Sequence, residues 1–318
     1  MSGRRVPFEA ADLLHTVRGF LMGGADIIPG VSGGTVALIV GIYSRLVAAI
    51  SHFDLALLSH LRRREWSAAL RHVDLRFLIF LLAGILLGIL SLASLMHYLL
   101  EDQRQPTYAA FFGLILASTW LVSRMVQRWS PVAVASLVAG AALAYVLVGL
   151  PLLQNPPPGN AYVFFSGMLA ICAMILPGIS GAFILLILGK YTDITGLLRS
   201  VLHGEITTGA ILTIAVFAAG CGIGLLGFSK VLRWLLEHHA TPTVALLCGF
   251  MAGSLRKIWP FKRDLTPPLA ELKLKQFENV LPDTVDGPVL LAIALALTAG
   301  AGVLLLERLS RRGGSAIR

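Results

Sequence analysis

Charged residues are scarce in this sequence, which excludes most soluble folds. They make up 14% of the 318 residues, whereas hydrophobic residues make up 56%. A soluble domain carries about 25% charged residues. The apolar residues also fall in blocks, such as 77–96 and 289–306, each close to the ~20 residues that a helix needs to cross a bilayer. The composition therefore predicts an all-α polytopic membrane protein.

Cysteine is also rare, and chemistry-bearing motifs are few. Cys172, Cys221 and Cys248 all lie in apolar segments and lack metal-ligand spacing, so we expect them to be small buried side chains. The sequence has no His-Glu-x-x-His pair and no phosphate-binding Walker motif. We therefore expect no enzyme activity, no metal site and no cofactor.

The net charge of +9 at pH 7 does not indicate nucleic-acid binding. Basic residues gather in the cytoplasmic loops of membrane proteins, and we expect no basic patch that is interleaved with exposed aromatic residues. We expect the membrane as a partner, no nucleic acid, and both termini in the cytoplasm. The predicted inner loops carry Arg62, Arg63, Arg64, Arg71, Arg76, Arg124, Arg128 and Arg233. The predicted outer loop 256–287 departs from this rule, because it holds Arg256, Lys257, Lys262, Arg263, Lys273 and Lys275.

Ten apolar stretches divide the chain into two halves of five. The first half, 1–153, contains a hairpin at 13–50 and helices at about 77–98, 107–123 and 131–150. An uncharged linker follows at 154–160. The second half, 161–318, contains a hairpin at 161–198 and helices at about 208–232, 242–255 and 288–307.

The two halves repeat each other. The motif Pro29-Gly30-Val31-Ser32-Gly33 returns as Pro177-Gly178-Ile179-Ser180-Gly181, and Leu99-Leu100-Glu101 returns as Leu235-Leu236-Glu237. Ordered matches of Pro, Ser and Glu are rare by chance in such an apolar sequence. Each hairpin is either re-entrant or a pair of short tilted spans. Both readings give an even number of crossings followed by three more, so the sequence predicts two inverted-topology repeats.

The Pro-Gly breaks inside the hairpins predict a binding site. A break frees backbone N–H groups that are tolerated only where they face protein or a cavity, and half-helix N-termini favour anions such as phosphate or carboxylate. The predicted substrate-binding residues at the breaks are Asp26, Pro29, Gly30, Ser32, Gly33, Gly34, Thr35, Gly178, Ser180 and Gly181. The alternative is that the glycines pack helices, the hydroxyls cap helices, and Asp26 pairs with a cation or caps a freed N–H.

Other polar residues near the hairpins are weaker candidates. Arg45 and Lys190 end the outgoing half-helices, where they could attract an anionic headgroup or extend towards the interface. Glu101 and Glu237 are related by the repeat and are candidate gating or proton-linked acids, or solvated loop acids. Tyr43 and Tyr191 are expected to be interfacial anchors.

The first break lies in a long motif that resembles a known family. Residues 23–35, Gly23-Gly24-Ala25-Asp26-Ile27-Ile28-Pro29-Gly30-Val31-Ser32-Gly33-Gly34-Thr35, and then Gly41-Ile42-Tyr43 resemble the signature of bacterial undecaprenyl-phosphate (polyprenyl-phosphate) translocases, formerly a membrane family of unknown function. Residues 173–181 and 188–191 resemble that family's second hairpin, and the resemblance spans nearly the whole chain.

The resemblance implies a function, which the residues alone leave open. It implies a lipid flippase of the bacterial cytoplasmic membrane that returns undecaprenyl phosphate from the outer to the inner leaflet for cell-wall biogenesis. It also implies roles for Asp26, Ser32, Gly33, Gly34, Thr35 and Ser180. The residues are also compatible with a secondary transporter or channel for a small anion, and less so with an intramembrane lipid phosphatase. A proton gradient, a sodium gradient or the substrate gradient alone could drive transport.

Overall fold

The chain folds into helices nearly throughout. The computed structural model describes residues 10–27, 31–153, 155–202, 207–265 and 277–314. The first half contains α1 (Ala10–Asp26), α2 (Gly33–Ile39), α3 (Tyr43–Ser51), α4 (Leu55–Arg62), α5 (Trp66–His72), α6 (Leu75–Glu101), α7 (Arg104–Ser123) and α8 (Pro131–Leu147). The second half contains α9 (Asn160–Ile175), α10 (Gly181–Ile187), α11 (Tyr191–Leu202), α12 (Thr208–His238), α13 (Ala240–Ser254), β1 (Lys262–Asp264), β2 (Phe277–Asn279) and α14 (Gly287–Gly314).

Several helices are long and apolar enough to cross a membrane. Within the described ranges these are α6, α7, α12 and the Gly287–Leu305 part of α14. The bent pair of α2 and α3 would add one more if it is counted as a single span. The helices α8, α9 and α13 are apolar but shorter. The chain is therefore a mostly helical, multi-pass membrane protein.

The sequence predicted a single half-helix for the outgoing part of each hairpin, but the structure divides this part into two helices. The predicted stretch 35–50 is divided into α2 and α3, whose axes differ by 119°. Gly41 lies between them with φ +72°, and Gly189 lies between α10 and α11 with φ +66°. This left-handed conformation ends a helix and favours glycine, because a side chain there would be strained. The first outgoing segment therefore turns sharply at Gly41, and Gly189 ends the helical run of α10 in the same conformation.

The loop between α13 and α14 contains a small sheet, so the all-α expectation was incomplete. Strands β1 and β2 pair antiparallel, with Lys262 opposite Asn279. The Val280 N–H donates to the Phe261 carbonyl at 3.0 Å and extends the ladder. Pairing satisfies backbone groups that a loop of this length would otherwise leave to water.

Helices from the two halves pack in matching pairs. Helix α1 packs along α6 and α9 along α12, while α7 packs on α14 and α8 on α13. The contacts are close because glycines face backbone: a Cβ on Gly84 would collide with the Thr16 carbonyl, and one on Gly220 with the Phe164 carbonyl. Small residues at such crossings allow the tight van der Waals packing that holds helices together in lipid.

The ends of the helices define two faces of the molecule. We call the terminal face the one formed by the start of α1, residues 52–74, 124–130 and 233–239. The linker face is the one formed by residues 99–106, 148–153, 155–160, 187–190, 255–265 and 277–286. On the terminal face, Arg76 donates to both carboxylate oxygens of buried Asp12, at 2.8 and 2.7 Å. On the linker face, the Leu153 N–H donates to the Ile187 carbonyl at 2.9 Å.

A contact within each hairpin lies near one of these faces. Near the terminal face, Arg45 lies 3.0 Å from the ring nitrogen of His15, which joins α3 to the start of α1. Near the linker face, the Tyr162 hydroxyl donates to the Leu188 carbonyl at 3.0 Å, which joins the start of α9 to the end of α10. In each hairpin, the segment after the break therefore contacts the start of the incoming helix.

Candidate functional site

At the first break, polar side chains of the same hairpin accept hydrogen bonds from the free backbone N–H groups. Ser32 is the N-cap of α2, and its Oγ accepts a hydrogen bond from the Gly34 N–H at 3.1 Å. The Asp26 carboxylate accepts the Gly33 N–H at 2.6 Å. Ser and Asp stabilise helix starts in this way because the first N–H groups of a helix lack backbone acceptors. Pro29 and Gly30, also predicted for the site, lie outside the described residues.

The two breaks are joined directly to each other. The Ser32 hydroxyl donates to the Met174 carbonyl at 3.1 Å, and the Gly178 N–H donates to the Thr35 hydroxyl at 2.8 Å. Ser32 and Thr35 are fully buried. These bonds satisfy backbone groups that the second break frees, in an interior where an unpaired group would cost about 1–3 kcal/mol.

The contact between the breaks leaves little room. A Cβ on Gly34 would lie 2.7 Å from the Ile175 carbonyl oxygen, and one on Gly178 would lie 2.7 Å from Ser254 Oγ. Gly178 also has φ +90°, where a side chain would be strained. Any larger residue at these two positions would separate the breaks or the helices behind them.

The second break has fewer internal contacts than the first. Ser180 is the N-cap of α10 but makes no side-chain capping bond, and it is only partly buried. Met174 occupies the position equivalent to Asp26. Gly181 packs on α9, where a Cβ would lie 2.6 Å from the Ala170 carbonyl. The second break therefore has a hydroxyl without a bond partner among the described residues.

Ser32 also has the G-x-S-x-G spacing of hydrolase nucleophiles, through Gly30 and Gly34. Its bond partners are the Met174 carbonyl and the Gly34 N–H. A nucleophilic serine is instead bonded to a general base. The contacts of Ser32 are therefore those of a capping and bridging residue.

The predicted cations lie away from the breaks and are paired. Arg45 donates to both oxygens of Asp74, at 2.6 and 3.1 Å, and its guanidinium lies over the Phe77 ring. Lys190 donates to Asp193 at 2.9 Å. The two cations belong to opposite faces, because Arg45 contacts the start of α1 and Lys190 follows the bend at Gly189.

The predicted acids are also separated. Glu101 ends α6 at the linker face, 3.3 Å from His97, and Glu237 lies near the end of α12 at the terminal face, 3.3 Å from Arg233. Their side chains are 46% and 56% exposed. This geometry is that of solvated surface pairs, and neither acid reaches the breaks.

Two features were missed from sequence. Tyr43, expected at the interface, is only 3% exposed, and its hydroxyl donates to the Ile175 carbonyl at 3.1 Å. The signal was its match with Tyr191 across the repeat. The second feature is a basic cavity at the linker face, formed by Arg256, Lys257 and Lys262. Its signal was the excess of cations in a predicted outer loop.

The histidine, cysteine and acidic side chains are dispersed over the described part of the chain. No group of three or more His, Cys, Asp or Glu residues there is arranged to hold a metal ion. Cys248 is buried, while Cys172 and Cys221 are partly buried. The site thus consists of backbone groups, hydroxyls and one carboxylate that are hydrogen-bonded within the protein.

The fold is that of a multi-pass membrane protein with two helix breaks bonded to each other, and comparison with known proteins identifies its family. The chain belongs to the VCA0040-like, undecaprenyl phosphate translocase-like family, whose model matches residues 22–272. It is 39% identical over 306 residues to a polyprenyl-phosphate transporter of Vibrio cholerae serotype O1 (strain ATCC 39315 / El Tor Inaba N16961), covering 93% of this chain and 96% of the relative. It is 33% identical over 267 residues to a polyprenyl-phosphate transporter of Staphylococcus aureus (strain NCTC 8325 / PS 47), covering 78% of this chain and 86% of the relative. No solved structure gives a significant match.

Proposed function

We propose that this protein transports undecaprenyl phosphate, or a closely related polyprenyl phosphate, from the outer to the inner leaflet of the bacterial cytoplasmic membrane. The returned carrier lipid is then available for cell-envelope synthesis. The names of the two relatives support a polyprenyl-phosphate substrate. The observation that carries the proposal is the direct bonding of the two Pro-Gly-x-Ser-Gly breaks in the protein interior.

The two hairpins are proposed to be re-entrant and related by inverted topology. The supporting contacts are His15 with Arg45 at one face and Tyr162 with Leu188 at the other, each joining the start of a hairpin to the segment after its break. The matching helix pairs, α1 with α6 and α9 with α12, support the same symmetry. Inverted repeats with broken helices are a common way to build a substrate site near the bilayer midplane.

Phosphate binding is proposed to exchange the bonds that now join the breaks. A phosphate oxygen would replace the Met174 carbonyl as acceptor for Ser32, and another would replace the Thr35 hydroxyl as acceptor for Gly178. The free Ser180 hydroxyl would donate a third bond. Charge-assisted bonds to phosphate are stronger than the neutral bonds they replace, so the headgroup can compete with the closed arrangement. Asp26 holds Gly33 and thereby shapes the pocket without facing a counter-cation.

The polyprenyl chain is proposed to remain in lipid while the headgroup crosses. A hydrocarbon tail gains nothing from leaving the bilayer core, whereas a bare phosphate in hydrocarbon would be very costly. The protein therefore needs to shelter only the headgroup and open sideways to lipid. Because the two breaks lie between the faces, alternating exposure of their junction would give each leaflet access in turn.

The orientation proposed from loop charge places the terminal face and both termini in the cytoplasm. The cations of 62–76, 124–128 and 233 lie on the terminal face, in agreement with the positive-inside rule. The linker face would then meet the outer leaflet, where the lipid phosphate is left after glycan transfer. The family is named for transport, and we assign no covalent chemistry to the site.

Leaflet exchange in liposomes tests the proposal. The purified protein is reconstituted with undecaprenyl phosphate labelled in one leaflet, in the absence of a gradient and with a proton or sodium gradient. We expect exchange to exceed that of protein-free liposomes at least tenfold, with undecaprenol unaffected. Liposomes loaded with inorganic phosphate serve as a second arm. No exchange under any gradient would overturn the proposal, and phosphate efflux without lipid exchange would instead assign a small-anion transporter.

A further inference from the structure

The loop that follows α13 builds a basic cavity at the linker face. The cavity measures about 600 Å³ and lies between the end of α8, α10 and the β1–β2 hairpin. Arg256, Lys257 and Lys262 line it. The loop is held in shape by bonds of its own, since the Asn279 side chain donates to the Arg256 carbonyl at 2.7 Å and Trp259 donates to the Val280 carbonyl at 2.9 Å.

The three cations contact aromatic rings and backbone carbonyls. The Arg256 guanidinium lies 4.3 Å from the centre of the Tyr145 ring and donates to the Tyr145 carbonyl at 2.9 Å. The Lys257 ammonium lies 3.9 Å from the centre of the Phe183 ring, and Lys262 donates to the Lys257 carbonyl at 2.7 Å. None of the three forms an ion pair within the described ranges, where Glu278 is the one acid among the lining residues.

Three neighbouring cations in one cavity indicate an anionic ligand. Partial burial makes an unpaired charge costly, and like charges in a medium of reduced dielectric repel each other. Both lysines are half-buried, and burial lowers the pKa of Lys257 to about 8. Burial, with the nearby charges of Lys257 and Arg104, lowers the pKa of Lys262 to about 7. A bound phosphate would offset both penalties at once.

The same loop borders an apolar groove, which favours a lipid over a soluble anion. The groove measures about 650 Å³ and lies between α7 and α14, with Trp259 and Phe261 in its wall. Its other walls include Leu116, Trp120 and Leu297, which are 50–69% exposed on the lipid-facing surface. Within seven residues, 256–262, the loop thus contributes cations to one cavity and aromatic rings to the other. A ligand with a phosphate head and a hydrocarbon chain matches this arrangement.

The basic cavity also touches the second break. The ring of Phe183, which makes a cation–π contact with the Lys257 ammonium, lies two residues after Gly181 in α10. Ser254, at the end of α13, packs directly against Gly178. A headgroup in the cavity would therefore lie on the linker side of the break that contains the free Ser180 hydroxyl.

We propose that this cavity, formed by Arg256, Lys257 and Lys262, is a separate docking site for the phosphate headgroup of the lipid at the linker face. The headgroup binds there before it reaches the paired breaks, while the first part of the tail lies along the groove of α7 and α14. The inference rests on the proposed function for the identity of the lipid, but the cavity is distinct from the breaks in position and in chemistry.

Equilibrium binding to the purified full-length protein tests the docking site. The probes are labelled undecaprenyl phosphate, undecaprenol and inorganic phosphate, and the variants are Lys257→Gln, Lys257→Arg and Lys262→Gln. Lys230→Gln is the matched control, because Lys230 is exposed on α12 and far from the loop. We expect each Gln variant to weaken undecaprenyl-phosphate binding about tenfold, as for loss of one charge-assisted bond. Lys257→Arg and Lys230→Gln should bind within about twofold of the native protein.

The outcomes separate the docking site from the proposed function. Unchanged binding in both Gln variants, with leaflet exchange intact in the native protein, would overturn the docking site and leave the function standing. Inorganic phosphate competing at the same concentration as the lipid would overturn the lipid assignment of the cavity. Equal loss of undecaprenol binding would show that the lysines do not act through the phosphate, and it would overturn the docking site. Native protein that neither binds nor exchanges undecaprenyl phosphate would overturn both.

Discussion

The hydroxyl of Thr35 accepts a hydrogen bond from the backbone N–H of Gly178 at 2.8 Å, although 143 residues separate them in sequence. Both residues are buried, and each lies in the break of a different hairpin. The two motifs are therefore parts of one polar centre. A substitution at either residue should therefore affect the packing of both halves of the protein.

Replacing Thr35 by Val should uncouple the two breaks. Valine keeps the shape of threonine but leaves the Gly178 N–H without an acceptor, which costs about 1–3 kcal/mol when buried. We expect a lower apparent melting temperature and faster protease cleavage in detergent. Thr35→Ser, which retains the hydroxyl, should resemble the native protein. Equal melting temperatures for the Val and Ser variants would contradict a bond of this strength.

The serines of the two breaks should respond differently to replacement by Ala. Ser32→Ala removes the N-cap of α2 and the bond to Met174, so it should lower stability by about 1–2 kcal/mol. Ser180 makes no capping bond, so Ser180→Ala should leave the melting temperature unchanged and reduce leaflet exchange at least tenfold. Normal exchange in Ser180→Ala would remove that residue from the phosphate site.

Asp26 should tolerate Asn better than Ala. The carboxylate accepts the Gly33 N–H, and the carbonyl oxygen of Asn can replace that acceptor, whereas Ala cannot. We expect exchange within about threefold of native for Asp26→Asn and at least tenfold lower for Asp26→Ala. Exchange measured with and without a proton gradient gives the check. If Asp26→Asn abolishes exchange in a stable protein, the ionisable group itself is required and capping is insufficient as its role.

Two glycines of α12 offer a matched test of helix packing. A Cβ on Gly220 would collide with the Phe164 carbonyl, whereas one on Gly222 meets nothing within 4 Å. Gly220→Ala should therefore push α9 and α12 apart and lower the melting temperature by several degrees. Gly222→Ala should match or exceed native stability, because Ala favours helix. A stable Gly220→Ala variant would argue against the close approach of these helices.

Binding at the basic cavity should weaken at alkaline pH. The lowered pKa values of Lys257 and Lys262, about 8 and about 7, mean that both ammonium groups lose their protons as the pH rises through this range. A phosphate monoester gains its second charge above about pH 6. Affinity for undecaprenyl phosphate should therefore peak near pH 7 and fall towards pH 9.

The double variant Lys257→Gln and Lys262→Gln is the control for this pH profile. Its remaining charged lining residues are Arg256 and Glu278, with Arg104 nearby. Its binding should be weak and nearly constant from pH 7 to pH 9. A native profile that is flat over the same range would exclude the two lysines as ligands of the phosphate.

Hydropathy and the repeat were sufficient to predict much of the fold. They indicated a helical, multi-pass protein, because apolar blocks of spanning length have few alternatives in lipid. They did not predict the helix breaks at Gly41 and Gly189, because the hydropathy of an apolar stretch is the same whether it forms one helix or two. The β1–β2 pairing was missed because its strands have three residues each, too few for an alternating pattern.

The sequence predicted residues of the candidate site but not their hydrogen-bond partners. The break motifs identified Asp26, Ser32, Thr35 and Gly178 as polar groups in an apolar setting. Which groups they bond to depends on how two distant segments meet, and no local pattern contains that information. The first break contains more polar side chains than the second. In the structure those residues are already bonded to each other, and the unbonded hydroxyl is Ser180.

The pairing of α8 with α13, and of α7 with α14, has a consequence for assembly. The ribosome completes α7 and α8 long before their partners exist, so the first half must wait in the bilayer with Gly113 and Gly140 facing lipid or a temporary neighbour. The late helices then close contacts over more than a hundred residues of sequence, which are slow to form. Membrane insertases or chaperones that hold unfinished bundles would act in that interval, and a chain truncated before α13 would be a substrate for quality-control proteolysis.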